Sequence, residues 1–106
     1  MTHDEIERMP AGPEMDAMVA EKVMGCRGLF RHSDGTPLCE CHGLRPVPRY
    51  STSIAAAWEV VRKARSICID RGRDYATYQC CFNGSISVAD PAPLAICRAA
   101  LKGVTK

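Results

Sequence analysis

The chain has 106 residues, which is enough for one hydrophobic core, and we expect a single domain over 1–106. Hydrophobic residues make up 46% and charged residues 25%, which favours a globular protein over a disordered or fibrous one. The net charge of +2, from 14 basic and 12 acidic side chains, argues against general binding to nucleic acids or to membranes.

The apolar runs are short and interrupted by charges, so no membrane span is predicted. The first ten residues, MTHDEIERMP, are polar and acidic and lack the basic and apolar regions of a signal peptide. We therefore expect a cytosolic protein. A reducing cytosol would keep the seven cysteines as thiols, available for metal binding or core packing.

The first strong helical pattern lies near 13–24, where Pro13 suits the first position and Gly25 a stop. One face of this helix carries the apolar residues Met15, Met18, Val19 and Val23, which we expect in the core. Residues 26–49 contain three prolines and the turn sequences SDG and HG, without a sustained period. This pattern predicts an irregular, cysteine-rich insert, in which SDGT leaves room for a short strand on either side.

A second helix is predicted near 52–65, within the stretch YSTSIAAAWEVVRKAR. Ser51 or Thr52 is the natural N-cap, because a hydroxyl can accept from a free amide of the first turn. The face expected to be buried carries Ile54, Ala57, Trp58, Val61 and Ala64.

The period then changes from helical to alternating, which predicts strands near 66–71, 75–82 and 85–89. Asn-Gly at 83–84 is a strong hairpin signal, so the strands form a mainly antiparallel, three-stranded sheet. A last helix is predicted near 91–102. The fold class is therefore α+β, and the apolar residues on both strand faces favour a three-layer α/β/α sandwich.

Four residues of the insert have the side chains that zinc prefers: Cys26, Cys39, Cys41 and His42, with His32 as an alternative histidine. Zinc is the one cofactor that the sequence suggests, because four such ligands would tie down an otherwise irregular segment. The C-x-C spacing differs from the usual separation of two to four residues, and the alternative is a surface loop with free thiols.

The other four cysteines are expected to pack in the interior. Cys80 and Cys81 are neighbours on one strand and point to opposite faces, so they cannot chelate one ion. Cys68 and Cys97 are interpreted as small core residues.

The start of the second helix is a candidate anion site. Tyr50, Ser51 and Thr52 lie where free amides are exposed, with Arg45 or Arg49 nearby to meet a phosphate or carboxylate. The Tyr50 ring could stack on a base. The alternative is plain capping without a ligand.

Three blocks, MPAGPEMDAMVAEKVMG, YSTSIAAAWEVV and PLAICRAAL, together resemble the phage ABA sandwich domain family. The blocks stand in the family's order and cover over a third of the chain. The resemblance implies an α/β/α sandwich, a phage or prophage origin, and residence in the cytoplasm of the infected bacterial host. It does not imply an enzyme. The matching positions that could contact a ligand are Asp16, Glu21, Tyr50, Ser51, Thr52, Trp58 and Arg98.

No HExxH, GxSxG or P-loop motif is present, and no nucleophile–base pair is evident, so we expect binding rather than catalysis. The main hypothesis is a phage accessory protein that sequesters a small, anionic, nucleotide-derived immune signal of the host. Homo-oligomers are expected, because the edges of so small a sheet need cover. The alternatives are a protein-interaction module that inhibits a host protein, and a zinc-stapled structural protein.

Overall fold

The computed structural model describes most of the chain, namely residues 2–26, 28–31, 33, 35–39, 45–71 and 76–104. These residues form four helices: α1 (His3–Arg8), α2 (Pro13–Lys22), α3 (Ile54–Val61) and α4 (Ala92–Val104). They also form six strands: β1 (Leu29–Arg31), β2 (Pro37–Cys39), β3 (Arg45–Pro46), β4 (Ile67–Arg71), β5 (Tyr78–Phe82) and β6 (Ser85–Ala89). The strands make two antiparallel sheets, in the orders β1-β2-β3 and β4-β5-β6.

The predicted α+β class, the three main helices and the β4–β6 sheet are confirmed. Residue 75, the predicted start of the middle strand, lies outside the described residues. The segment predicted to be irregular contains the three short strands β1, β2 and β3, two of which flank the SDGT turn. This small sheet packs against α2.

Helix α4 lies at the centre of the molecule. Its buried residues include Leu94, Ile96, Cys97 and Leu101, and they are distributed around the whole helix rather than along one stripe. A helix that is apolar on all sides is stable only in an interior. Accordingly, α4 packs against β5 and β6 and also contacts the other three helices.

The hairpin between β5 and β6 has the predicted Asn-Gly geometry. Asn83 and Gly84 have φ angles of 50° and 90°, as a type I′ turn requires. The Asn83 Oδ1 also accepts hydrogen bonds from the backbone amides of Arg65 (2.7 Å) and Ser66 (3.0 Å). One turn residue therefore also fixes the chain between α3 and β4.

The two faces of the β4–β6 sheet have different environments. Cys80 and Phe82 are buried on the face that packs against α4. On the opposite face, called here the outer face, cross-strand pairing aligns two rows: Cys68–Cys81–Ile86 and Asp70–Gln79–Val88. Of these six side chains Cys81 is half-buried and the others are exposed, with Ile86 50% and Val88 45% accessible. The prediction that Cys68 lies in the core is wrong, because β4 is an edge strand and Cys68 points outward.

Helix α1 is attached to the sheet through Glu7. The Ser87 hydroxyl donates to the Glu7 carboxylate at 2.7 Å, and the Lys102 ammonium pairs with the same carboxylate. Partial burial by itself raises the pKa of Glu7, but the hydrogen bonds from Lys102 and Ser87 and the charges of Lys102 and Arg98 outweigh it. The pKa of Glu7 is therefore lowered.

Candidate functional site

A buried polar contact, the Asp16–Ser51 joint, connects α2 to the start of α3. Asp16 is 5% and Ser51 0% exposed. One oxygen of the Asp16 carboxylate accepts from the Ser51 amide at 2.8 Å and from the Ser51 hydroxyl at 2.6 Å. The Ser51 hydroxyl oxygen in turn accepts from the Gly12 amide at 2.9 Å. Because a buried polar group without a partner is costly, this joint holds the two helix starts in a defined position.

The capping residue of α3 differs from the predicted one. Ser53 is the N-cap, and its hydroxyl accepts from the Ala56 amide at 3.3 Å. The prediction of Ser51 or Thr52 is wrong, because the chain enters the helix two residues later and Ser51 bonds to α2 instead. The three hydroxyls therefore have three different environments: Ser51 is buried, Thr52 is exposed and Ser53 caps.

Next to the joint is a cleft of about 540 Å³, called here the Arg49 cleft. Its walls come from the start of α2, from β2 and β3 with the residues beside them, and from the segment before α3. The lining residues are Gly12, Pro13, Asp16, Gly35, Thr36, Pro37, Pro46, Val47, Arg49 and Thr52. Its volume falls in the range of small-molecule sites in proteins.

Three of the residues predicted to contact a ligand line this cleft: Arg49 and Thr52 are exposed, and Asp16 is buried. In the part of the chain that the structure describes, the Arg49 guanidinium has no hydrogen-bond or ion-pair partner. Its five N–H donors are suited to phosphate or carboxylate oxygens. The positive end of α2, which begins after Gly12, faces the same cleft. Arg49, Thr52 and this helix start could contact a small anion. The Asp16 carboxylate, which also lines the cleft, is hydrogen-bonded to Ser51.

A second cleft, of about 530 Å³, lies on the other side of Pro46 and Val47 and contains Tyr50 and Lys63. We call it the Tyr50 cleft. Tyr50 is only 6% exposed, and its burial raises the pKa of the phenol, with smaller contributions from Glu59, Cys97 and Asp16. The predicted Tyr50-Ser51-Thr52 set is thus divided: Tyr50 lies in one cleft, Thr52 in the other, and Ser51 in neither.

Trp58 and Arg98 lie away from both clefts. Trp58 and Ile54 are each 54% exposed on α3, so the prediction that they face the core is wrong. Helix α3 packs on the alanine-rich α4 through the smaller Ala57 and Val60, which rotates the tryptophan outward. Arg98 is half-buried, and its Nη2 donates to the Met9 carbonyl at 2.8 Å, which joins α4 to the end of α1.

The remaining predicted residues are only partly described. Arg45 lies in β3, but its side chain is outside the described part. Cys41, His42 and His32 are also outside it. Cys26 and Cys39 form a disulfide, in which the sulfurs carry no thiolate charge and do not ligate zinc. This corrects the expectation of two free thiols there. The described residues contain no group of three or more potential metal ligands.

Residues 17–101, which are most of the chain, match the family described as the phage ABA sandwich domain. The chain belongs to this family. The resemblance inferred from the three sequence blocks is thereby confirmed. A similar solved structure is the 2.0 Å crystal structure of a phage protein from Bacillus cereus ATCC 14579. The two chains are 26% identical, the match covers 91% of this chain and 93% of that one, and the TM-score is 0.68.

No curated protein matches this phage ABA sandwich domain chain. Among the helices that the structure describes, none is long and apolar enough to cross a membrane. The family and the solved neighbour therefore establish a phage protein and its fold.

The sequence did not reveal two features of the site. The first is the buried hydrogen bonding between Asp16 and Ser51. It was not expected, because an acidic residue in the first turn of a helix is normally exposed to solvent, where it interacts with the positive end of the helix dipole. The second is that the insert supplies a wall of the cleft, through Thr36 and Pro46. The only sequence signal for that role was the density of prolines and turn residues.

Proposed function

We propose that this phage protein acts by binding a small anionic ligand in the Arg49 cleft, and that the ligand is a nucleotide-derived immune signal of the bacterial host. Sequestration in the host cytoplasm would keep the signal from its receptor. The single observation that carries the proposal is the Arg49 guanidinium, which lies without a partner among the described residues at a cleft of small-molecule size. Thr52 provides a hydroxyl beside it.

The buried joint supports a binding role. A site binds more tightly when its walls are already in place, because less conformational entropy is lost on binding. The Asp16–Ser51 contact fixes α2 relative to the segment that carries Arg49 and Thr52. The described residues of the lining offer a cleft-side guanidinium and hydroxyl groups, which supports the proposal of an anion held by charge and hydrogen bonds.

Isothermal titration calorimetry with a panel of cyclic mononucleotides and dinucleotides tests the proposal. We expect at least one to bind, and Arg49→Ala to weaken its binding about 10- to 100-fold, because a hydrogen bond to a charged group contributes about 1.5–3 kcal/mol. The matched control is Arg62→Ala, an exposed arginine that pairs at 3.8 Å with the exposed Glu59. Equal loss in both variants, or no binding by the wild type to any compound, would contradict the proposal.

A second candidate function is inhibition of a host protein, and one observation favours it. Ile54 and Trp58 are adjacent on the exposed side of α3, four residues apart. Exposed tryptophans are enriched at energetically important positions of protein interfaces. Co-purification from host lysate tests this candidate: a stoichiometric partner that is lost in Trp58→Ala but retained in Arg49→Ala would favour inhibition over sequestration.

A further inference from the structure

Two free thiols are aligned on the outer face of the β4–β6 sheet. Cys68 on β4 and Cys81 on β5 are direct cross-strand partners. Neither belongs to the Cys26–Cys39 disulfide; Cys68 is exposed and Cys81 half-buried. This pair has no part in either cleft or in the Asp16–Ser51 joint.

The hydrogen-bond pattern of the strands gives the spacing of the pair. The Asn83 amide donates to the Ser66 carbonyl at 2.8 Å, so Ser66 and Asn83 form a hydrogen-bonded pair at the end of the ladder. Hydrogen-bonded and non-hydrogen-bonded pairs alternate in antiparallel sheets, so Cys68–Cys81, two positions along, is again hydrogen-bonded. The Cα atoms of such a pair are about 5.5 Å apart, within the range of about 4.4–6.8 Å that disulfides span. The Cβ atoms are also about 5.5 Å apart and must approach by about 1 Å for a bond to form, a movement that an edge strand such as β4 allows.

The other free cysteines that the structure describes are protected from solvent. Cys80 and Cys97 are both fully buried. Burial, with smaller contributions from Cys81 and Cys68, raises the pKa of Cys80 to about 11, and burial raises that of Cys97 as well. Thiols of this kind remain protonated and unreactive at neutral pH. Reactivity among the described free thiols is therefore concentrated at Cys68 and Cys81.

We propose that Cys68 and Cys81 form a redox-sensitive modification site that closes into a cross-strand disulfide in the presence of a low-molecular-weight disulfide. The Cys68 thiolate attacks one sulfur of the small disulfide, which forms a mixed disulfide and releases one small thiolate. The Cys81 thiolate then attacks the Cys68 sulfur, which forms the Cys68–Cys81 bond and releases the second small thiolate. The two protons from the cysteines pass through water to the released thiolates, so two protein thiols are oxidised while one small disulfide is reduced to two thiols.

Peptide mapping of the full chain tests this site. The purified protein is incubated with oxidised glutathione, free thiols are alkylated, and the digest is analysed by tandem mass spectrometry. We expect a peptide that links Cys68 to Cys81, with the loss of two hydrogen atoms, and little glutathione on Cys68. In Cys81→Ser the second step is blocked, and the mixed disulfide on Cys68 should accumulate several-fold above the wild-type level.

Cys80→Ala is the matched control, because it removes the neighbouring thiol on the opposite face and should leave the Cys68–Cys81 link intact. A mixture of isotopically light and heavy protein distinguishes a link within one chain from a link between two copies. Stable glutathione on Cys68 at equal levels in wild type and Cys81→Ser would overturn the proposal. A link that joins a light chain to a heavy chain would also overturn it.

Discussion

The Asp16–Ser51 joint and the outer face of the β4–β6 sheet lie in the same chain but differ in their exposure to solvent. At the joint, Asp16 and Ser51 are buried and are bonded to each other and to Gly12. On the outer face, Ile86 and Val88 remain about half exposed. This difference indicates that the joint and the helices around it contribute to the stability of the fold. Substitutions on the outer face should cost little stability, and its side chains are accessible to chemical modification.

The largest expected difference in the free energy of unfolding is between substitutions of two isoleucines. Ile96→Ala, in α4 where the side chain is fully buried, should lower the free energy of unfolding by about 4 kcal/mol. Ile86→Ala, on the outer face, should lower it by less than about 1 kcal/mol, because half of that side chain is already in water. Urea denaturation of the two variants measures both values. Similar losses would mean that the outer face is covered in solution, and a dependence on protein concentration would identify the cover as another copy.

Three neighbouring hydroxyls give a finer test of the joint. Ser51→Ala leaves the half-buried Gly12 amide without its acceptor, removes one hydrogen bond to the buried Asp16 carboxylate, and should cost about 2 kcal/mol. Ser53→Ala removes an N-cap and should cost about 1 kcal/mol. Thr52→Ala, at an exposed position, should change stability by less than about 0.5 kcal/mol. Thermal or urea unfolding of the three variants ranks their losses of stability. A larger loss of stability for Thr52→Ala than for Ser51→Ala would contradict the assignment of Ser51 to the buried joint.

The smallest effect concerns pH and the attachment of α1 to the sheet. Because the pKa of Glu7 is lowered in the folded state, the unfolded chain binds more protons at this position at acidic pH. The stabilisation is therefore complete above the ordinary carboxyl pKa of 4.5 and is lost as the pH falls through the lower, folded pKa. For a partly exposed pair we expect less than about 1 kcal/mol.

Glu7→Gln measures this contribution through urea unfolding across the acidic range. The variant should be slightly less stable than the wild type near pH 7, and the two should converge as the pH falls through the lowered pKa of Glu7. Glu5→Gln, in the same helix but on an exposed side chain, is the control and should follow the wild type. A Glu7→Gln variant whose deficit stays constant down to low pH would mean that the carboxylate charge has no role.

Local sequence patterns predicted much of the fold because they reflect interactions between residues that are close in sequence. The alternation in β4–β6, the Asn-Gly turn and the helical period of α2 each depend on residues close in sequence, and each is confirmed. The exposure of Trp58 could not be predicted in this way, because it depends on how closely α3 approaches the small residues of α4.

The candidate site was predictable only in part for the same reason. Arg49 and Thr52 were identified from their position before a helix, and both line the cleft. The role of Ser51 depends on Asp16, which is 35 residues away in sequence. The second wall of the cleft comes from residues near Thr36 and Pro46, in a segment that has no sustained period.

The most direct test of the central claim is native mass spectrometry of the protein purified from phage-infected bacteria with an active nucleotide-signalling defence. We predict that the wild type carries the added mass of one small, anionic, nucleotide-derived compound, that Arg62→Ala carries it as well, and that Arg49→Ala does not. A wild type that carried no such compound, or an Arg49→Ala variant that carried it at the same occupancy as the wild type, would contradict sequestration in the Arg49 cleft.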